Sequence, residues 1–184
     1  MRASRPVVLL AIATLSGTLL LGGGVSASAA STPAGGPVNF YAPQNGDGIN
    51  GSVVITGAIG DYGKTVSIDK NGKTDAKGNY VKVTLQKGTF EINTTTFNAK
   101  ATNVKPTFFK ATCSALFTVT GQVTLFGGTG LYGGISGTLN ITGTSGFILP
   151  RLASGKNKGQ CNLSNNAQPI SQYTLIEGSG TVSF

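Results

Sequence analysis

Beyond residue 37 the chain alternates. Apolar and polar side chains take turns with a period of two in run after run, and no stretch keeps the 3.6-residue apolar period of a helix over about eleven residues. The runs are rich in Thr, Val, Ile, Phe and Tyr, which fit a pleated, half-buried surface. The 28 glycines that interrupt them fall at turns and bulges and form no collagen-like repeat. Such a chain is bound to sheet. Candidate strands are 52–58, 64–69, 80–85, 88–95, 112–120, 122–127, 132–142 and 173–184. Eight short antiparallel strands in about 150 residues suit a closed barrel or a sandwich. A closed barrel has no free edge, and with eight strands it encloses only side chains or one small ligand.

Within the candidate strands the faces separate. Val81, Val83 and Leu85 oppose Lys82 and Thr84, while Phe90 and Ile92 oppose Thr89, Glu91 and Asn93; the link QKG makes these two runs a hairpin. Phe117, Val119, Val123 and Leu125 share a parity across Gly121, which reads as a turn or bulge between two strands. Ile135, Leu139 and Ile141 share another. In the last strand one parity holds Ile176, Val182 and Phe184, and the other holds Tyr173, Leu175 and Glu177. The linker 70–79 carries Asn71-Gly72 and Gly78-Asn79, both turn signals. Its stretch DKNGKTD is a plain turn, since a calcium loop would need an oxygen ligand where a lysine stands and a glutamate at its twelfth place.

The first 30 residues read as a signal peptide: a basic start with Arg2 and Arg5, a long apolar run, and small residues for cleavage near Ala30. Residues 31–37 read as a flexible leader and 38–184 as one barrel domain. No second apolar run long enough to span a membrane follows, and the expected location is secreted, from a bacterial cell. Removing Arg2 and Arg5 from the 14 basic residues leaves 12 against 6 acidic ones, a net charge of +6. That charge favours solubility, with an anionic cell-wall polymer as a partner it would suit. The lysines are scattered and no nucleic-acid motif accompanies them, so nucleic acid is not an expected partner.

Two cysteines in an exported chain, Cys113 and Cys161, read as one disulfide. It would pin the long polar segment 150–172, which otherwise reads as a mobile lid. The chain has no histidine, so neither thiol has an imidazole to activate it, and two thiols alone are too few for a metal. The same absence removes Ser-His-Asp chemistry. Carboxylates remain. Glu91 and Glu177 are the only glutamates, both in candidate strands, and Asp47, Asp61, Asp69 and Asp75 fall in loops or at strand ends. Glu177, beside Tyr173 and Leu175, is the candidate for a cavity carboxylate; Glu91 looks solvated.

The stretch GGTGLYGGISGTLNITGT, 127–144, is not a phosphate cradle. A dinucleotide fingerprint needs a helix after the glycines, whereas 135–142 alternates as a strand, and no lysine lies between Lys110 and Lys156 for a P-loop. Gly127, Gly128 and Gly130 suit a turn with positive φ, and Gly133, Gly134 and Gly137 suit strand positions at a bulge or a close crossing. Over 123–142, VTLFGGTGLYGGISGTLNIT resembles the motif of the allene oxide cyclase and dirigent families. That resemblance implies an eight-stranded antiparallel barrel with a pocket. Those families' catalytic residues lie outside the motif and are not carried over. The first functional reading is a non-enzymatic exported barrel, without cofactor or metal, that binds a small apolar or aromatic molecule or acts at the cell surface. The alternatives are a dirigent- or cyclase-like isomerase using a cavity carboxylate, and a structural surface protein with a filled barrel.

Overall fold

The computed structural model describes residues 35–45, 49–164 and 166–184. The signal-peptide reading of 1–30, and Asp47, lie outside them. The described residues form nine strands, one helix and one 3₁₀ turn: β1 Gly35–Gln44, β2 Asn50–Gly57, β3 Asp61–Ile68, β4 Tyr80–Leu85, β5 Thr89–Asn93, α1 Thr95–Ala101, β6 Thr107–Phe109, β7 Ser114–Phe126, the 3₁₀ turn Gly130–Tyr132, β8 Ser136–Ile148 and β9 Ser171–Ser183.

Eight of the strands close into an antiparallel barrel in the order β5-β4-β3-β2-β1-β9-β8-β7, with β7 returning to β5. The closing seam is short: Glu91 faces Phe126, Ile92 faces Leu125 and Asn93 faces Thr124. β6 is an appendage, paired only with the opposite end of β7. Between β5 and β6 the chain runs through α1, which packs against β7. Inward residues alternate with outward ones along each ring strand, as in Val38, Phe40 and Ala42 of β1 or Leu139 and Ile141 of β8, all buried. Each fully buried side chain of this size contributes about 1.5–3 kcal/mol.

Three expectations are corrected. β1 is absent from the candidate strands, and its first three residues fall in the segment read as a leader. Its prolines, Pro37 and Pro43, demote a run on sequence grounds, yet both point outward in a strand paired on both sides. The runs 112–120 and 122–127 are one strand, not a pair: Gly121 lies mid-strand opposite Ile141. The unbroken parity from Phe117 to Leu125 is what one continuous strand produces. Finally, the chain turns helical at Thr95, at the end of a candidate strand, for only seven residues, too few for a periodic signal to register.

β7, β8 and β9 have 13 residues each. At one end they extend past the ring, since β1 pairs with β9 no further than Thr174. The disulfide joins Cys113, just before β7, to Cys161 in the β8–β9 connection, with Cα atoms 5.3 Å apart. That connection is held down along its length. Leu149 N–H donates to the Cys113 carbonyl at 2.8 Å. The Arg151 guanidinium donates to the carbonyls of Gly159 and Ala111, both at 2.7 Å. It is a clamped loop, as the disulfide reading required. Replacing both cysteines with serine removes a crosslink spanning 48 residues. The expected loss is about 4 kcal/mol of unfolding free energy, measured as a lower urea midpoint, with the far-UV circular dichroism of the barrel retained.

Candidate functional site

The barrel's two ends differ. At the end where β3 starts, the lumen is plugged. The segment 127–135 between β7 and β8 folds inward and carries Tyr132, 2% exposed, into the barrel. Its ring packs edge-on against Phe90 and Phe184, at 6.0 and 5.7 Å between centroids. Its hydroxyl donates to Asp61 Oδ2 at 2.7 Å. The same carboxylate accepts the Lys87 N–H at 3.0 Å and, on Oδ1, the Tyr62 N–H at 2.8 Å. Burial alone would raise the Asp61 carboxyl, but the bonds from Tyr132 and from the Tyr62, Lys87 and Gln86 backbone outweigh it and hold the group below its ordinary range. Tyr132 is pushed the other way, by burial first and then by the adjacent carboxylate. At neutral pH Asp61 is therefore anionic and Tyr132 protonated. Neither is poised to exchange a proton, and the pair acts as a satisfied plug.

The glycines serve this plug. Gly130, at φ 63°, sits where a side chain would strike the Lys87 carbonyl, and a side chain on Gly128 would strike the Tyr132 carbonyl. Gly127 and Gly134 lie in the same connection, Gly133 follows the 3₁₀ turn, and Gly137 stands in β8 against the Thr181 carbonyl of β9. Gly133 and Gly134 are thus loop residues, which corrects their assignment to a strand. Gly128 is there for close approach, not positive φ.

The opposite end holds a cavity of about 240 Å³. Phe40, Val81, Ile92, Val123, Leu139 and Ile141 supply its apolar walls. Phe97 of α1 closes over it, seated on two glycines: a Cβ at Gly121 or Gly143 would stand 3.1 or 3.0 Å from the Phe97 ring. Asn98 ties the helix to the β3–β4 loop, its Nδ2 donating to the Gly78 carbonyl at 3.2 Å and to Asn79 Oδ1 at 3.1 Å. That loop is ordered by turn chemistry, with Asp69 Oδ1 accepting the Asn71 and Lys73 N–H groups at 2.8 and 2.9 Å. The rest of the described lining is uncharged and mixes apolar Ala76 and Ile176 with polar Gln44, Thr65, Ser67 and Thr174.

The sequence candidates are not in this cavity. Glu177 lies on the outer face of β9, opposite Tyr41 and Thr142. Tyr173 is outward too, 53% exposed. The inward parity of β9 is the other one, with Ile176, Val182 and Phe184. Glu91 is on the outer face of β5 opposite Lys82. The two glutamates stand on the outer faces of strands that are not neighbours. Asp61, Thr65, Phe97 and Tyr132 are site residues that sequence reasoning misses. Asp61 and Thr65 are hidden because β3 turns its polar parity inward, Asp61, Gly63, Thr65 and Ser67, against the usual rule. Phe97 is hidden by the short helix. The signal that points to Tyr132 is an aromatic residue enclosed by glycines.

Fold and site together define a closed eight-stranded barrel with a plugged end and an uncharged internal cavity. No family model, curated protein or solved structure matches the chain.

Because the Asp61 carboxyl titrates lower in the folded state, its contribution to stability is complete above the ordinary aspartate value, about pH 4, and is lost as pH falls through the folded value. Tyr132→Phe is expected to lower unfolding free energy at pH 7 by about 1.5–3 kcal/mol, the range for a bond to a charged group. Asp61→Asn should flatten the acid side of the stability profile. Urea titrations between pH 3 and pH 7 measure both.

Proposed function

We propose that this is a binding barrel that takes up a small, neutral, largely apolar molecule at its open-lumen end. The observation that carries the reading is the cavity's lining: apolar walls, a few hydroxyl and amide groups, and no ionisable side chain among the described residues. A charged ligand would lose its hydration there with nothing to compensate it. An engineered cavity of about 150 Å³ holds benzene; in proportion, about 240 Å³ admits about ten heavy atoms. The disulfide is compatible with an extracellular protein, and no helix among the described residues is long and apolar enough to cross a membrane. Export belongs to the proposal on the disulfide together with the signal-like sequence of residues 1–30.

An isomerase steering its substrate with a carboxylate would need that group beside the cavity. The buried carboxylate, Asp61, is four residues along β3 from Thr65, about 13 Å at strand rise, and its oxygens are taken up by Tyr132 and the backbone. A filled structural barrel would not leave the space that Phe97 covers. Membership in the allene oxide cyclase and dirigent group stays part of the proposal, carried by residues 123–142 alone.

Naphthalene, a rigid probe of the right size, should bind with a Kd of about 1 mM or tighter at about 0.4 kcal/mol per heavy atom, followed by its fluorescence. Val81→Phe fills the space from the wall and should weaken binding at least tenfold with an unchanged circular dichroism spectrum. Failure of the unmodified protein to bind naphthalene or any neutral molecule of similar size overturns the reading.

A further inference from the structure

One group at the cavity wall is out of balance. Thr65 is 2% exposed, and its hydroxyl has no hydrogen-bond partner among the described residues. Buried hydroxyls are nearly always paired, so an unpaired one calls for a reason. Its surroundings supply one. Thr65 faces Gly51 across the β2–β3 ladder. Above Gly51, in the space a Cβ would fill, Thr65 Oγ1 and Gln44 Nε2 both come within 2.7 Å of that point and Gln44 Oε1 within 2.8 Å. Gln44 donates through Nε2 to the Ala42 carbonyl at 3.1 Å, which steadies its amide. Both Thr65 and Gln44 line the cavity. A bulkier residue than glycine at 51 would push this polar pair apart. Glycine there, a polar stripe on β3 and an unpaired hydroxyl converge on one corner of a largely apolar, uncharged chamber.

We infer that Thr65 is the polar anchor of the cavity, and that the ligand is a neutral ring compound of about ten heavy atoms carrying a single hydroxyl or carbonyl oxygen. The inference rests on the binding reading above and narrows its ligand class. A threonine hydroxyl both donates and accepts, so it can meet an alcohol, a phenol or a ketone. It cannot neutralise a carboxylate or an amine, and the described lining offers no other group that could. Discrimination comes from the wall itself: an apolar ligand leaves the Thr65 hydroxyl unpaired, whereas one with an oxygen at the right edge satisfies it.

The test compares naphthalene, 2-naphthol, 1-tetralone and 2-naphthoate on the full chain at pH 7, with Thr65→Val and Thr65→Ser. Expected results are 2-naphthol or 1-tetralone binding about fivefold or more tighter than naphthalene, and 2-naphthoate not binding. In Thr65→Val the preference should collapse to within twofold, with naphthalene still bound. Thr65→Ser, which keeps the hydroxyl, should restore it and serves also if the valine variant misfolds. Naphthalene binding without any preference for the oxygenated probes, or a preference that survives in Thr65→Val, overturns the anchor and leaves the binding reading standing. Loss of binding by all four probes overturns both.

Discussion

Three residue pairs, Glu91 with Phe126, Ile92 with Leu125 and Asn93 with Thr124, turn a sheet into a barrel. The shortness of this seam shapes one whole end of the molecule. Because β5 ends at Asn93, the middle of β7, between its pairings with β5 and β6, has no strand partner on that side, and α1 packs against β7 there. The helix brings Phe97 over the lumen, and the glycines at 121 and 143 leave room for its ring. A longer β5 would have continued the wall and left no lid. The short seam thus accounts for the cavity's position, its cover and the asymmetry between the two ends.

The same strand supplies both ends with polarity. β3 points Asp61, Gly63, Thr65 and Ser67 into the lumen. At one end the Asp61 carboxylate is surrounded by donors and stabilises the plug; at the other, the Thr65 hydroxyl has no partner among the described residues. Both groups are buried. The contrast separates structural polarity, which is saturated, from polarity left free to meet something else.

Much of the fold is legible in the sequence because its signals are local. The β4–β5 hairpin follows from alternation and a three-residue link, and its register, Val83 against Phe90, pairs the faces that the alternation assigns inward. The disulfide follows from an even cysteine count and the clamped loop from the disulfide. The candidate site is much less legible. β9 carries apolar residues on both parities, so Tyr173 and Leu175 look as eligible for the interior as Ile176. β3 breaks the rule that polar faces point out. β1 is masked by Pro37 and Pro43, and β7 by a glycine whose purpose is to receive a phenylalanine from a distant helix.

The amino-acid order by itself determined that this chain forms antiparallel sheet, that glycine-rich connections join its strands and that Cys113 and Cys161 are joined, because side-chain period, turn chemistry and cysteine arithmetic act over a few residues or over the whole composition. Only the tertiary structure decided which face of β3 and β9 is the inside, where Tyr132 and Phe97 come to rest and which polar groups find partners. Those outcomes depend on what lies across the lumen, on strands far away in the chain, as Tyr132 is 71 residues from Asp61. A strand's own sequence carries no record of the wall it will face.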